Sequence, residues 1–342
     1  MKKERLLELM DRFGDLRIAV VGDLFLDRWY DVDRRLDEPS LETGLTAYQV
    51  VAKRPAAGAA GTVMNNLAAL GVGKIYAIVL LGDDGDGYDS IKAMKRRGID
   101  TSLVVSSEEV WTPTYNKTTF VAEGMPPEET NRLDVKNRKV TPDHLQDQLI
   151  ANVRKIAGEV DAIVLLDQLM EENCGVVTDR MLAAIDEIAA EYPDLLIYGD
   201  SRGFIHKFRN MIIKCNNHEA LGLVSVQDSG EFEQSIVEDA MDQIRARTGR
   251  PVFISCNKYG VMAQWEGKKY LVPAVRHNCE IDVCGAGDAC SAGIISALAA
   301  GGTHVEAAEM GNLSSGVTVR MLGETGAAER AKVLALFDEQ NA

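Results

Sequence analysis

The chain has 342 residues, 46% of them hydrophobic and 26% charged, with a formal net charge of -15, the composition of a globular protein with one large domain and room for a small appendage. No apolar run approaches the roughly 20 residues that a membrane span needs, and Met1-Lys2-Lys3-Glu4-Arg5 leads into an amphipathic pattern, not a signal-peptide core. The acidic balance argues against nucleic acid or an anionic membrane as partner, so any phosphate site must be locally basic within an acidic protein.

Leu6, Leu7, Met10 and Phe13 predict a short amphipathic helix closed by Gly14, and Ile18-Ala19-Val20-Val21 predicts a buried strand. Strand-like apolar runs recur at 75–81, 162–166, 195–198, 212–213 and 252–254. Between them lie helical patterns such as Leu145, Leu149, Val153, Ile156 and Met181, Ile185, Ile188. This alternation predicts an α/β fold: a doubly wound, mostly parallel sheet with helices on both faces, in one domain over 1–342. Ligands of such sheets collect at the C-terminal ends of the strands. Two stretches, about 29–57 and 111–134, break the rhythm. Patterns such as Thr46-Ala47-Tyr48-Gln49-Val50-Val51 and Tyr115-Asn116-Lys117-Thr118-Thr119-Phe120-Val121 predict half-exposed strands there, inserted into the domain as a small lid.

Six scattered cysteines, Cys174, Cys215, Cys256, Cys279, Cys284 and Cys290, form no C-x-x-C pair. They predict reduced, buried thiols and a cytoplasmic address. No His stands beside Cys284 to activate it as a nucleophile, and the five histidines show no metal spacing.

The stretch Asp282-Val283-Cys284-Gly285-Ala286-Gly287-Asp288 carries the clearest chemistry. Two glycines around an alanine let the amides of Gly285, Ala286 and Gly287 turn toward one point, and the Ala- and Ser-rich run that follows, ending at Gly301-Gly302, predicts a tightly packed helix. The amides then sit at a helix N-terminus, where the dipole favours an anion such as a transferring phosphoryl group. Asp288 in the first turn is expected to be kept ionised by the same dipole, ready to take a proton from an attacking hydroxyl. Upstream, Asp23 and Asp27 follow the first strand, as ligand-facing carboxylates or as turn residues. Gly82-Asp83-Asp84 with Gly87 predicts a turn and a helix N-cap. No G-x-x-x-x-G-K-[ST] or G-x-G-x-x-G motif competes for a nucleotide.

The segment from Asp282 to Asp288, with Gly293 beyond it, resembles the second signature of the ribokinase-like (PfkB) carbohydrate kinases, and further pieces match in order from Gly22 to Gly323. Within that family the chain is most similar to the heptose-7-phosphate kinase branch of ADP-heptose synthesis. The resemblance implies an ATP- and Mg2+-dependent kinase acting on a hydroxyl of a sugar or sugar phosphate, with a monovalent cation allowed as a further cofactor. It implies Asp288 as base, the amides of Gly285, Ala286 and Gly287 as the anion hole, and Asp27, with Asp23 second, as the substrate-binding acids. Gly58-Ala59-Ala60-Gly61-Thr62 is similar to the first signature, usually Gly-Gly-x-x-Asn; it departs at Ala59 and Thr62, which bear on the sugar pocket. Lys117 and Arg132-Leu133-Asp134 resemble lid positions within reach of a substrate phosphate, or are solvated lid charges. Asn216 and Glu219 match an Asn-x-x-Glu element tied to magnesium, with Asp200 as a third member; the other reading of Asn216 is a cap.

Ser255-Cys256-Asn257-Lys258-Tyr259-Gly260 resembles the nucleotide turn Thr-x-Gly-x-x-Gly, with Asn257 in place of the first glycine because Asn tolerates left-handed dihedrals. Cys284, Asn312 and Leu322-Gly323-Glu324-Thr325 fall on the nucleotide side as well. The lid implies a homodimer. Bifunctional members carry a nucleotidyltransferase domain after the kinase, and the expectation here is the kinase half alone. The alternatives are a nucleoside kinase of the same superfamily and a non-catalytic member that binds sugar or nucleotide.

Overall fold

The structure is a computed structural model and describes every residue except 126, 227–229, 324 and 342. Helix α1 (Lys3–Arg12), which buries Leu6, Leu9 and Met10, leads into strand β1 (Arg17–Gly22). The chain then leaves the core at once through β2 (Leu24–Val32), the short β3 (Glu38–Pro39) and β4 (Thr46–Ala47), and β5 (Val50–Ala59), before returning in α2 (Ala60–Leu70). Next come β6 (Lys74–Ile78), β7 (Leu80–Gly82), α3 (Gly85–Arg96), β8 (Val105–Ser107), β9 (Thr114–Phe120) and β10 (Glu128–Val135). From there the order is α4 (Asp143–Ala157), β11 (Ala162–Asp167), α5 (Asp179–Glu191), β12 (Leu196–Ser201), β13 (Ile212–Asn216), α6 (Asn217–Leu223), α7 (Gln234–Thr248) and β14 (Val252–Ser255). A hairpin, β15 (Val261–Trp265) and β16 (Lys268–Val272), precedes α8 (Ala286–Ala299), α9 (His304–Thr318) and α10 (Arg330–Asn341).

The main sheet has eight strands in the order β16-β15-β14-β13-β12-β11-β1-β6. The strands from β6 across to β14 run parallel, and only the edge hairpin is antiparallel. Alternation within β1 shows why the runs are continuously apolar: Ile18 and Val20 pack with the cluster of α1, α2, α8 and α10, whereas Ala19 and Val21 pack with that of α4, α5 and α7. Both faces of the strand are covered, so Ile18, Val20 and Val21 each contribute roughly 1.5–3 kcal/mol of burial, and Ala19 less. The mostly parallel, doubly covered sheet expected from the sequence is present.

Several boundaries differ from expectation. The run 75–81 is two strands, because the chain breaks at Val79: β6 pairs with β1, whereas β7 pairs with β8. The stretch after β1 is not a turn. Strand β2 begins at Leu24 and belongs to a four-stranded lid sheet in the order β10-β9-β2-β5. The lid therefore takes in Asp27, Gly58 and Ala59, beyond the insertion limits 29–57 and 111–134. The single strand expected at 46–51 is also two: β4 pairs with β3, and β5 starts at Val50. The antiparallel hairpin and α7 carried no recognised pattern.

The lid is tied to the core by charge and by backbone. Arg28 of β2 is buried and pairs with Asp86 at 2.5 Å and Asp89 at 3.0 Å, both on α3. Asp84 caps α3 by accepting the Gly87 N–H at 2.7 Å, as the sequence led one to expect. At the junction of β5 and α2, Ala59 sits at φ 53°, ψ -117°. That is the backbone of the first central position of a type II′ turn, which glycine adopts without strain and alanine does not. Replacing Ala59 by Gly is expected to stabilise the protein by about 1 kcal/mol, raising Tm by about 1–2 °C for a chain of this size. An unchanged or lowered Tm by calorimetry would sink the strain argument.

Candidate active site

The C-terminal ends of the parallel strands bring polar residues to one edge of the sheet. Leu166 is in register with Asp200, Asp167 with Ser201, and Asn216 with Ser255. Above this edge the lid forms one wall of a cleft of about 170 Å³, to which it contributes Phe25, Asp27, Tyr115, Lys117 and Arg132. Ala59 and Thr62 line it from the β5–α2 junction, and Gln168 and Arg202 from the strand ends. The fourth side is Cys284, Gly285, Asp288 and Thr325.

Gly285 caps α8 in the left-handed region at φ 75°. The cradle is narrower than three amides: the Ala286 N–H turns back to Val283 O at 3.1 Å, whereas among the described residues the Gly285 and Gly287 amides have no acceptor. Those two donors and the positive end of α8 remain for an anion. Lys214 lies beside them, since a methyl group added to Gly287 would come 3.3 Å from its Nζ. Lys214 is buried and pairs with Asp200 at 2.9 Å, and Ser291 Oγ donates to the same carboxylate at 3.3 Å. Burial alone would lower the Lys214 pKa, but the Asp200 charge outweighs it and holds the ammonium well above its ordinary value.

Asp288 stands in the first turn of α8. It was expected to be held ionised by the helix dipole; instead its pKa is pushed up to about 7, first by burial and then by the like charge of Asp200, against the opposing pull of Lys214 and Arg202. The residue keeps partial solvent contact and lines the cleft. A carboxyl poised near neutrality suits a general base that must gain a proton during the reaction.

Asp27 faces the same cleft from β2. Its carboxylate occupies the space that a side chain at Gly58 would need, with an added methyl only 2.5 Å from Oδ2. Burial raises its pKa while Lys117, Arg132 and Arg202 oppose the rise. Two of these cations are seated on rings: Lys117 Nζ lies 4.5 Å from the Trp29 centroid and the Arg132 guanidinium 4.3 Å from that of Tyr115. Tyr115 itself stacks on Phe25 at 4.7 Å. Cation–π contact and stacking give the lid wall a fixed, basic, flat surface. Arg132 also pairs bidentately with Asp134.

Other expected site residues are engaged elsewhere. Asp23 does not line the cleft: it accepts N–H groups from Gln168 at 2.9 Å, Leu169 at 3.3 Å and Val176 at 2.9 Å, and so pins the loop after β11. Asn216 and Glu219 form a capping box on α6, with Glu219 N–H donating to Asn216 Oδ1 at 2.8 Å and Asn216 N–H to Glu219 Oε2 at 2.7 Å. Burial raises the Glu219 pKa, and the nearby Asp200 adds to the rise. Ser255 ends β14, Asn257 and Gly260 lie in the turn from there to β15, and all three are outside the cleft lining. Asn257 does take the left-handed conformation, at φ 49°. Asn312 is likewise not in the cleft; its Nδ2 donates to Val272 O and Pro273 O, pinning the end of β16 against α9. Of the segment 322–325, Thr325 reaches the cleft and Glu324 lies outside the described residues.

Reading the residues alone missed Lys214, Arg202, Gln168 and Tyr115 as site residues. Lys214 had a signal, a lone lysine in an apolar strand run two residues before Asn216; Arg202 follows Asp200 at a strand end and had only that.

The chain is 28% identical over 341 residues to the Bifunctional protein HldE of Trichlorobacter lovleyi, covering 98% of this chain and 65% of that protein. It is 28% identical over 334 residues to that of Hyphomonas neptunium, covering 96% of this chain and again 65% of the relative. The chain therefore spans less than two thirds of the length of these relatives. Among solved structures, phosphofructokinase-2 from Escherichia coli in complex with substrates and products superposes with a TM-score of 0.73 at 16% identity, covering 96% of this chain and 100% of that one. Arabidopsis thaliana ribokinase complexed with ribose and ATP gives 0.67 at 16% identity, covering 94% and 98%. These two likenesses concern the fold. The family model described as pfkB family carbohydrate kinase matches residues 15–330, nearly the whole chain, so the protein belongs to the pfkB carbohydrate kinases and has their ribokinase-like α/β fold.

Proposed function

We propose that the protein transfers the terminal phosphoryl group of ATP to a hydroxyl of a sugar phosphate, with Asp288 as the base. The observation that carries this reading is one cleft lined by both Asp27 and Asp288, with the free amide of Gly285 beside Asp288 and lid cations beside Asp27. A free sugar or a nucleoside offers Lys117 and Arg132 no anion, whereas a sugar phosphate does, and heptose 7-phosphate is the acceptor class that the similarity to HldE favours.

The residues fit Mg-ATP. Gly285 and Gly287 N–H groups would hold phosphate oxygens, with the buried Lys214 ammonium adding positive charge beneath them, and Glu219 with Asp200 would hold the cation. Burial and then the charge of Asp200 raise the Glu219 pKa, and a divalent cation between the two carboxylates would offset both. Among the described residues no three His, Cys, Asp or Glu side chains converge on one point, and a magnesium ion bound through one or two carboxylates together with phosphates and waters needs no such cage. When bound, Mg-ATP supplies the electrophilic phosphoryl group and the metal charge that screens it. The chain's own part is positional and electrostatic. Asp27 accepts hydrogen bonds from substrate hydroxyls, Asp288 takes the proton of the attacking one, and the amides and the α8 dipole stabilise charge on the phosphoryl oxygens.

The lid also supports a homodimer. Leu36, Leu41, Leu45, Tyr48, Val50 and Val51 are exposed along β3 to β5, more apolar surface than a solvated sheet edge carries. Sedimentation is expected to give twice the chain mass, and Val51→Asp with Leu45→Asp the single mass; a wild-type protein sedimenting as one chain would end this reading.

The central test is ADP release from Mg-ATP against a panel of sugars and sugar phosphates that includes heptose 7-phosphate. Turnover is expected on a phosphorylated member, falling about 10²–10⁴-fold in Asp288→Asn. Turnover only on nucleosides would favour the nucleoside kinase, and binding without turnover the non-catalytic reading. Because Asp288 must be ionised to act, kcat/KM is expected to fall on the acid side of about pH 7. A carboxyl whose folded-state pKa lies above its unfolded one binds protons more tightly when folded, so its contribution to stability declines as pH rises from about 4 to 7. Asp288→Asn is therefore expected to melt higher than wild type at pH 8 while losing activity; a lower Tm would contradict the burial cost assigned to this carboxylate.

A further inference from the structure

The three cations of the cleft divide by the element that carries them. Lys117 and Arg132 stand on the lid strands β9 and β10 over aromatic rings, and Arg132 is further held by Asp134. Arg202 comes from the core, on the residue after β12. Its backbone is fixed: Arg202 N–H donates to Asp167 O at 3.0 Å, and Ser201 Oγ, itself donating to Asp167 Oδ2 at 2.6 Å, accepts the N–H groups of Gly203 at 3.3 Å and Phe204 at 2.8 Å. The guanidinium, by contrast, has no hydrogen-bond or ion-pair partner among the described residues. An unengaged five-donor fork facing a cleft, in a protein of net charge -15, is available to an oxyanion ligand.

Its position distinguishes it from the other cations. Arg202 joins Lys117 and Arg132 in opposing the rise of Asp27, and joins Lys214 in opposing that of Asp288 and Glu219. It is thus the cation felt both where the acceptor binds and where its proton is taken. Lys214 cannot take that part, because its ammonium is buried and committed to Asp200.

We propose that Arg202 is a catalytic residue whose guanidinium grips the oxygens of the phosphoryl group as that group passes from nucleotide to acceptor, an arginine finger supplied in cis. The inference rests on the kinase reading above. In the step, the P–O bond to the nucleotide breaks with its electron pair going to the departing diphosphate, the acceptor oxygen forms the new P–O bond, and the hydroxyl proton goes to Asp288. Arg202 stays cationic throughout and exchanges only hydrogen bonds.

The test needs no knowledge of the acceptor. Mg-ADP is titrated calorimetrically into wild type, Arg202→Ala and Arg202→Lys, with and without aluminium fluoride, a mimic of the transferring phosphoryl group. Wild type is expected to bind Mg-ADP about 100-fold more tightly with the fluoride than without it. Arg202→Ala should keep the affinity for Mg-ADP alone and lose most of that gain, and Arg202→Lys should recover part of it, having charge without the fork. A gain of the same size in Arg202→Ala, no gain in wild type, or an equal loss of Mg-ADP affinity with and without fluoride each overturns the inference while leaving the nucleotide site standing. Absence of Mg-ADP binding to wild type would remove the kinase reading and this inference with it. Matching Tm values for the three proteins confirm that the exposed Arg202 side chain is not being read through misfolding.

Discussion

A buried ammonium fixes the arrangement of the site. Lys214 sits inside the sheet at 6% exposure, with Asp200 of the neighbouring strand 2.9 Å away and the glycine cradle of α8 directly beside it. Removing either partner of such a pair leaves an uncompensated charge in the interior, a cost of roughly 3–5 kcal/mol. The pair therefore holds β12, β13 and the start of α8 in one relation, since Ser291 of that helix donates to the same carboxylate. It also places a permanent positive charge under a point where backbone amides are already directed. Asp288, one turn upstream of Ser291, inherits the consequences: burial first and then the carboxylate of Asp200 push its pKa up, the ammonium holds it down, and the balance lies near neutrality.

Negative charge is concentrated throughout this edge. Asp167, 5% exposed, is carried to about 7 by burial with Asp23 and Asp200 nearby. Asp23 and Glu219 rise for the same first reason, desolvation. These groups are tolerated because each is given donors: backbone N–H groups for Asp23, a hydroxyl for Asp167 and a capping amide for Glu219. Raised carboxyl groups set along strand ends lower stability at neutral pH, and the proposed binding of a multiply charged nucleotide with its cation at this edge would offset that cost by function.

What the sequence disclosed follows from which interactions are local. The strands of the parallel sheet are apolar on both faces and were visible as runs; the α8 cradle was visible because glycines and a helix start are adjacent in the chain. The Asn216–Glu219 spacing was visible too, but spacing does not distinguish a metal element from a capping box, and the hydrogen bonds here form the box. Roles that depend on distant partners were not legible. Asp23 and Asp27 differ by four positions, yet one faces the 168–176 loop and the other the cleft, because β2 begins between them and turns the chain into the lid. Lys117 and Arg132 pair across β9 and β10, fifteen residues apart, through a register that no local pattern specifies. The edge hairpin β15–β16 carries too few residues of clear alternation to be read.

The same geometry explains how the two ends of the site stay in register although one belongs to the lid. Only Asp23 separates β1 from β2, so the strand carrying Asp27 continues directly from the central sheet. Asp23 holds the amides of Gln168 and Leu169, and Gln168 lines the cleft, so the residue at the joint also positions a wall of the pocket. Farther out, Arg28 anchors β2 to α3 through two carboxylates, with its Nε left without a partner among the described residues. On the return path Ala59, in a backbone conformation suited to glycine, hands β5 to α2, and α2 packs on α8. A strained residue at that joint is a local cost that the surrounding packing over-determines. The lid wall that carries Asp27 and the glycine cradle of α8 are thus linked along the chain on both sides of the lid, and a displacement of β2 or β5 large enough to open the cleft must be absorbed near Asp23 and Ala59, where the chain passes from core to lid.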